Sequence, residues 1–156
     1  MLPADHEPPS SPYIDPAIER WNQRYRDCLG RQSNALDPHP FLLAKADLLP
    51  ASGRALDIAG GLGRNSLWLA RRGLDVTVVD GSKVACEHVA GLTAELGFSI
   101  KVVCRDLKRD ELPSGPYDLI VNTLYLQRTL VPRIEQILAG GGLLLFATYL
   151  ESGVRG

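Results

Sequence analysis

Three closely spaced glycines mark the part of the sequence best suited to bind a ligand. Residues 54–66 read Arg-Ala-Leu-Asp-Ile-Ala-Gly-Gly-Leu-Gly-Arg-Asn-Ser, an apolar strand that leads through Gly60, Gly61 and Gly63 into a helix. Glycine allows a tight turn and lets backbone amides approach a ligand where a Cβ would clash. The amino end of the following helix adds a positive dipole. This pattern predicts a site for a nucleotide-type cofactor.

A carboxylate about 20 residues further along the chain completes this pattern. Residues 74–80 form an apolar run that ends in Asp80. At the tip of the second strand of a doubly wound sheet, a carboxylate can accept hydrogen bonds from both hydroxyls of a ribose. The alternative is an ordinary solvated aspartate at the end of a strand.

The order and spacing of these segments resemble class I S-adenosylmethionine-dependent methyltransferases. Their first motif, acid-x-Gly-x-Gly-x-Gly, corresponds here to Asp57-x-Ala59-x-Gly61-x-Gly63, with alanine in place of the first glycine. Within that family the chain is most similar to the tellurite-resistance and thiopurine-type branch. The likeness rests on residues 21–25 (Trp-Asn-Gln-Arg-Tyr), 56–66 and 117–120 (Tyr-Asp-Leu-Ile).

The resemblance implies S-adenosylmethionine as cofactor, S-adenosylhomocysteine as product, and specific roles around the turn. Asp57 would hold the ammonium of the methionine moiety directly or through water, or would only orient the loop. Arg64 and Asn65 would bind the methionine carboxylate or cap the next helix. Asp106 would face the adenine amino group, unless it belongs to a solvated loop, and Leu107 would pack on the ring. The predicted cofactor-binding set is Asp57, Ala59, Gly60, Gly61, Gly63, Arg64, Asn65, Asp80, Gly81, Asp106, Leu107 and Asn122.

A helix near the amino terminus is the candidate lid. Apolar residues recur at helical spacing from Pro16 and stop at Gly30. The resemblance places Trp21 or Tyr25 near the sulfonium and Arg24 near a carboxylate, whereas the alternative is packing on the core. Tyr125 and Tyr149 follow the fourth and fifth strands, where they would face an acceptor pocket or simply pack.

The rest of the sequence predicts an α/β fold, a doubly wound Rossmann-like parallel sheet with helices on both faces. In such a sheet the ligand lies at the carboxyl ends of the strands, where the strand order reverses. In addition to the first strand, the sequence predicts helices over 16–30, 41–49, 65–72, 82–96 and 132–138. It predicts further strands over 75–79, 99–104, 117–123 and 142–148.

The domain organisation follows from composition. Prolines and serines predict a disordered tail over residues 1–15, and residues 16–156 are expected to form a single S-adenosylmethionine-binding domain. The family fold carries two further strands after the fifth, so the sheet is expected to lack them. That would leave the edge of the fifth strand exposed. Three explanations would account for such an edge: dimerisation through it, strand exchange, or truncation.

Net charge and cysteine content argue against several other classes of protein and site. A net charge of −1 disfavours nucleic-acid partners, and three scattered cysteines indicate neither disulfides nor a metal site. The absence of a signal or membrane segment predicts a cytoplasmic protein without membrane partners.

Methyl transfer from a sulfonium is an in-line displacement that needs little acid–base chemistry, so no catalytic residue is assigned. His6, His39 and His88 are expected to be structural or solvated. The resemblance implies a small-molecule acceptor, such as a metalloid oxyanion or a thiol. The alternatives are a non-catalytic or truncated cofactor-binding domain and an NAD-dependent oxidoreductase.

Overall fold

Five parallel strands form one sheet in the computed structural model, which describes residues 14–31, 37–123 and 125–148. The strands are β1 (Arg54–Ile58), β2 (Asp75–Asp80), β3 (Ile100–Cys104), β4 (Tyr117–Thr123) and β5 (Leu138–Ala147), in the spatial order β3-β2-β1-β4-β5. The order reverses between β1 and β4, as in doubly wound sheets. The predicted Rossmann-like fold is confirmed.

Helices cover the two faces of this sheet unequally. On the first face lie α2 (Pro40–Ala44), α3 (Arg64–Arg71) and α4 (Lys83–Leu96), whose Leu42, Leu67 and Val89 join one buried cluster. The second face is covered by α5 (Leu130–Ile137) and by the loop after β3, through buried Leu107 and Leu112. The strands β1 to β4 are mostly apolar because both of their faces are covered, whereas β5, at the edge of the sheet, is largely half-buried or exposed.

Prolines, glycines and capping side chains mark the ends of the helices. α1 (Pro16–Gly30) begins with proline in its first turn, and α4 is followed directly by Gly97, which adopts a left-handed conformation. Asp15, predicted as part of the tail, instead caps α1, because its Oδ1 accepts a hydrogen bond from the Ala17 N–H at 2.7 Å. Residues 1–13 of the predicted tail lie outside the described part of the chain.

Three predicted boundaries differ from the structure by two or more residues, and one of them is the start of β5, which lies at Leu138 rather than at residue 142. The helix expected over 41–49 is divided into α2 and a 3-10 turn at Ala46–Leu48. α5 begins at Leu130 rather than Pro132, because proline is tolerated anywhere in the first turn. β5 follows at once, with Leu138 beside Tyr117 and Leu143 beside Leu119. The glycines at 140–142 lie within the bulge between these two pairs.

The Tyr117-Asp118 pair, part of the family resemblance, lies at the amino ends of the strands, opposite the predicted site. Asp118 Oδ2 accepts a hydrogen bond from the Arg54 N–H at 2.9 Å, and the Arg54 guanidinium lies 4.7 Å from the Tyr117 ring centroid. These contacts join β1 to β4, so this motif supports the fold.

None of the helices in residues 14–31, 37–123 and 125–148 is both long and apolar enough to cross a membrane. In the same ranges, no group of three or more His, Cys, Asp or Glu side chains could hold a metal ion.

Candidate functional site

A cavity of about 370 Å³ opens at the carboxyl ends of β1 to β4, beneath α1. Its volume falls within the range of about 300–1,000 Å³ that is usual for small-molecule sites. The ends of the strands and the segments that follow them contribute the residues Ala59, Gly61, Leu62, Asp80, Gly81, Ser82, Asp106, Leu107, Lys108, Thr123 and Tyr125. Asp15, Ala17, Ile18, Trp21, Tyr25 and Cys28 come from α1 and its cap, and Arg64 begins α3.

Three left-handed residues shape the turn after β1. They are Ala59 at φ 55°, Gly61 at φ 57° and Gly63 at φ 88°. Gly61 lies under the α1 helix, where a Cβ would come within 2.9 Å of the Tyr25 hydroxyl oxygen. Gly63 precedes α3 and is crowded by α4 instead, since its Cβ would lie 2.9 Å from Val89 Cγ2. Ala59 is the only non-glycine residue with a positive φ among the described residues.

Not all of the predicted glycines reach the cavity. Gly61 and Gly81 line it, whereas Gly60 and Gly63 do not. A Cβ on Gly60 would meet Val78 Cγ2 at 2.3 Å. These two glycines are therefore required by packing within the protein, which the sequence pattern alone does not distinguish from contact with a ligand.

Asp80 ties the glycine turn to the end of β2. Its Oδ2 accepts a hydrogen bond from the Gly61 N–H at 2.9 Å, and its Oδ1 accepts one from the Ser82 N–H at 2.8 Å. Burial raises the pKa of this carboxyl above its ordinary value, although both amide hydrogen bonds oppose the shift. Because a carboxylate oxygen can accept two hydrogen bonds, each oxygen keeps capacity for a further donor.

Asp57 is fully buried and does not line the cavity. Its Oδ2 accepts a hydrogen bond from Ser66 Oγ at 2.7 Å, and its Oδ1 has no hydrogen-bond partner within the described part of the chain. Burial raises the pKa of Asp57 to about 7, and the nearby charge of Asp80 adds to the shift. Asp57 therefore joins β1 to α3 through Ser66, and its contact with a methionine ammonium, directly or through water, stays a prediction.

The two polar residues that begin α3 face different surroundings. Arg64 lines the cavity, and no ion pair to it is found among the described residues. Asn65 is buried away from the cavity, where its Oδ1 accepts from the His39 N–H at 2.8 Å and its Nδ2 donates to Thr123 Oγ1 at 3.0 Å. Asn65 therefore holds the segment before α2 against the end of β4. His39 caps α2 through its Nδ1 and does not line the cavity.

The loop after β3 supplies Asp106 and Leu107 to the cavity wall. Asp106 Oδ1 accepts a hydrogen bond from the Lys108 N–H at 3.0 Å, so this carboxylate also stabilises its own loop. Arg133 of α5 donates to the backbone carbonyls of Leu107 and Asp110, which fixes the loop from the second face of the sheet. The contribution of Arg133 was not evident from the sequence.

The α1 helix covers the cavity with aromatic side chains. Trp21 and Tyr25 line it and stack on each other, with their ring centroids 5.5 Å apart. Arg24, predicted near a carboxylate, lies instead outside the cavity wall, with its guanidinium 4.9 Å from the Trp21 ring centroid. Burial and the charge of Asp80 raise the pKa of the Tyr25 hydroxyl.

Two contacts that the sequence did not reveal hold α1 in place. Lys108 Nζ lies 3.4 Å from Asp15 Oδ2, joining the loop after β3 to the start of α1. Asn22, next to Trp21, is buried and hydrogen-bonds to Ser82 at the start of α4. The only sequence signal for Asn22 was its position inside the 21–25 motif.

Of the remaining predicted residues, one lines the cavity, one does not, and one lies outside the described part of the chain. Tyr125 lines the cavity, and burial raises the pKa of its hydroxyl. Asn122 lies at the end of β4 but is buried outside the cavity wall, and its Oδ1 has no hydrogen-bond partner among the described residues. Tyr149 lies outside the described residues.

The sequence profile of the methyltransferase domain family matches residues 55–142, which include β1, β4 and the turn between β1 and α3. Because this match covers more than half of the chain, the chain belongs to the methyltransferase domain family. Its fold is that of the class I S-adenosylmethionine-dependent enzymes. No curated protein sequence matches the chain.

Solved structures agree with this assignment of the fold. A TehB-like methyltransferase from Corynebacterium glutamicum is 22% identical, with a TM-score of 0.62 over 83% of this chain and 72% of the other. TehB from Haemophilus influenzae is 26% identical, with a TM-score of 0.57 over 72% of this chain and 40% of the other. A protein from Methanococcus maripaludis, assigned as an S-adenosyl-L-methionine-dependent methyltransferase, is 19% identical, with a TM-score of 0.67 over 88% and 67%. This chain spans only 33% to 72% of the first three structures that it matches.

Proposed function

We propose that this chain binds S-adenosylmethionine and transfers its methyl group to a small-molecule acceptor. One observation carries the proposal: a single cavity brings Gly61, Asp80 and Asp106 together under the aromatic side chains of α1. These residues come from three different strand ends, so only the folded sheet places them on one surface.

The residues of the cavity fit the chemistry of this cofactor. Asp80 keeps acceptor capacity on both oxygens, as a ribose diol requires. Asp106 offers an acceptor for an adenine amino group, and Leu107 offers an apolar surface for the ring. Arg64, which begins α3, would hold the methionine carboxylate.

The cofactor supplies an electrophilic methyl group bonded to a positively charged sulfur. The chain orients the two reactants and excludes water. Such positioning can contribute about 7–11 kcal/mol to lowering a barrier. No histidine is found among the described residues that line the cavity. The acceptor that we propose, a thiolate or a metalloid oxyanion, reacts without giving up a proton and so needs no base.

We further propose that the chain belongs to the tellurite-resistance and thiopurine-type branch. The likeness to TehB and to a TehB-like enzyme supports this placement. Residues 21–25, which carry the sequence resemblance to that branch, lie on the helix that covers the cavity. The match to the methyltransferase family favours methyl transfer over the NAD-dependent oxidoreductase.

Calorimetry of S-adenosylhomocysteine binding, with NAD as comparator, tests the proposal. Asp80→Ala should weaken binding by about 1–3 kcal/mol, because hydrogen bonds to a charged group are lost. Asp75→Ala is the matched control, since Asp75 is exposed at the opposite end of the same strand and should leave affinity unchanged. Equal affinity of Asp80→Ala and wild type, or binding of NAD alone, would contradict the proposed site. Binding without turnover on thiol acceptors would favour the non-catalytic alternative.

A further inference from the structure

Asn22 is the one buried residue of α1. The α1 helix otherwise presents a mixture of half-buried and exposed side chains, including Trp21, which is 41% exposed. A buried amide is costly unless it is hydrogen-bonded, so its partners show what it holds.

The partners of Asn22 lie at the start of α4. Its Oδ1 accepts a hydrogen bond from Ser82 Oγ and faces the Val84 N–H at 3.5 Å, while its Nδ2 donates to Glu19 Oε2 at 3.2 Å. Ser82 Oγ in turn accepts from the Ala85 N–H at 3.1 Å and caps α4. Donors on one side and a carboxylate on the other fix the orientation of the Asn22 amide.

The same serine contacts the cofactor site through its backbone. The Ser82 N–H donates to Asp80 Oδ1 at 2.8 Å, and the Gly61 N–H donates to Asp80 Oδ2 at 2.9 Å. Hydrogen bonds therefore join α1 to the Ser82 side chain, and the Ser82 backbone to Asp80 and the glycine turn. Buried hydrogen bonds in series can be worth more than their separate contributions.

We infer that Asn22 is a positioning residue that couples the docking of α1 to the orientation of Asp80. This inference rests on the proposed function, because it gives Asp80 the task of binding the ribose. Docked α1 holds Ser82, Ser82 holds the Asp80 carboxylate, and the ribose then meets a carboxylate that is already oriented. Ligand binding at Asp80 and the docking of α1 are thereby coupled.

A double-mutant cycle on S-adenosylhomocysteine affinity tests this coupling. Asn22→Ala should weaken binding about tenfold. In the Asp80→Ala background the same change should have an effect of less than about twofold, because Asn22 acts through Asp80. Gln23→Ala, on the exposed side of the same helix, should bind like wild type. Equal losses in both backgrounds, or no loss from Asn22→Ala, would overturn the inference.

Hydrogen exchange of the ligand-free protein separates this inference from the proposed function. In Asn22→Ala the amides of Ser82 and Gly61 should exchange severalfold faster than in wild type, whereas Gln23→Ala should leave both unchanged. Unchanged exchange would overturn the coupling even if the protein binds the ligand. Accelerated exchange without ligand binding would support the link and reject the proposed function. If Asn22→Ala does not fold, Ser82→Ala breaks the same link from its other end.

Discussion

At the scale of single residues, the turn after β1 carries strain at one position. Ala59 adopts φ 55° where the family motif has glycine, yet its N–H still donates to the Val79 carbonyl at 2.8 Å. A left-handed conformation costs an L-residue about 1–2 kcal/mol. The hydrogen bond and the packing of the turn hold Ala59 in this conformation.

Ala59→Gly should therefore leave the free energy of unfolding unchanged or raise it by up to about 1 kcal/mol, since relief of strain exceeds the entropic cost of glycine. Ala55→Gly is the matched control in β1, where the buried methyl is lost without any relief. It should cost about 1–2 kcal/mol. Equal destabilisation of the two variants in urea titrations would contradict strain at Ala59.

Asp57 makes stability depend on pH. Its pKa is about 7 in the folded protein and 3.8 in the reference state. Between these values the folded state holds a proton that the unfolded chain releases, so this group's contribution to stability falls as pH rises through that window. Ser66 and Arg64 favour the charged form, but burial and Asp80 outweigh them.

Asp57→Asn should remove this contribution, because asparagine stays neutral and still accepts the hydrogen bond from Ser66. The stability of wild type relative to the variant should fall from about pH 4 to about pH 7 and then level off. Taking the difference removes the pH dependence of groups that both proteins share, including His39 and His88. Parallel urea-denaturation profiles of the two proteins would show that Asp57 does not titrate in this range.

At the scale of elements, the glycines of the turn after β1 serve the packing of helices as well as the cavity. Gly63 lets the start of α3 approach α4, where Val89 is buried. Gly97 also has a positive φ, of 75°, but no atom lies within 4 Å of the position that its Cβ would take. A substitution at Gly97 therefore tests backbone strain alone, whereas one at Gly63 tests strain together with a steric clash.

Gly97→Ala should cost about 1–2 kcal/mol from backbone strain alone. Gly63→Ala should cost about 2–4 kcal/mol, because overpacking against Val89 is added. The cost of Gly63→Ala should fall in a Val89→Ala background, where the contact is removed. Chemical denaturation measures all four variants, and a cost of Gly63→Ala that ignores Val89 would refute the packing role.

At the scale of the whole molecule, the sheet ends in a ten-residue strand that pairs, among the described residues, with β4 alone. Leu144 and Phe146 of β5 are each 37% exposed. A long apolar edge strand is a template for pairing with another chain. We propose that two copies associate through this edge.

Leu144→Lys should weaken that association, since a charged side chain on an edge strand opposes pairing. Leu96→Lys is the control, because Leu96 is similarly exposed but lies at the end of α4. Sedimentation velocity over a range of concentrations should show self-association of wild type and of Leu96→Lys, and less of it in Leu144→Lys. A wild type that remains monomeric throughout would reject the dimer.

Local pattern was sufficient for the elements and for part of the site. Strand β4 was predicted at its observed bounds, and α1 and α4 within a residue, because caps, glycines and apolar runs act over a few neighbouring positions. The pattern of glycine turn and distal acid pointed to Gly61 and Asp80, and the family resemblance pointed to Asp106. The role of each in cofactor binding stays a prediction.

Tertiary structure decided which of these residues face the cavity and what holds them there. Asp57 and Gly63 belong to the same motif as Gly61, yet neither lines the cavity. Asp57 is hydrogen-bonded to Ser66, and Gly63 packs against Val89. The hydrogen bond between Asn22 and Ser82 joins residues 60 positions apart. Sequence determined the order of elements because their signals are local. Only the fold decided these contacts, because they depend on how distant elements pack.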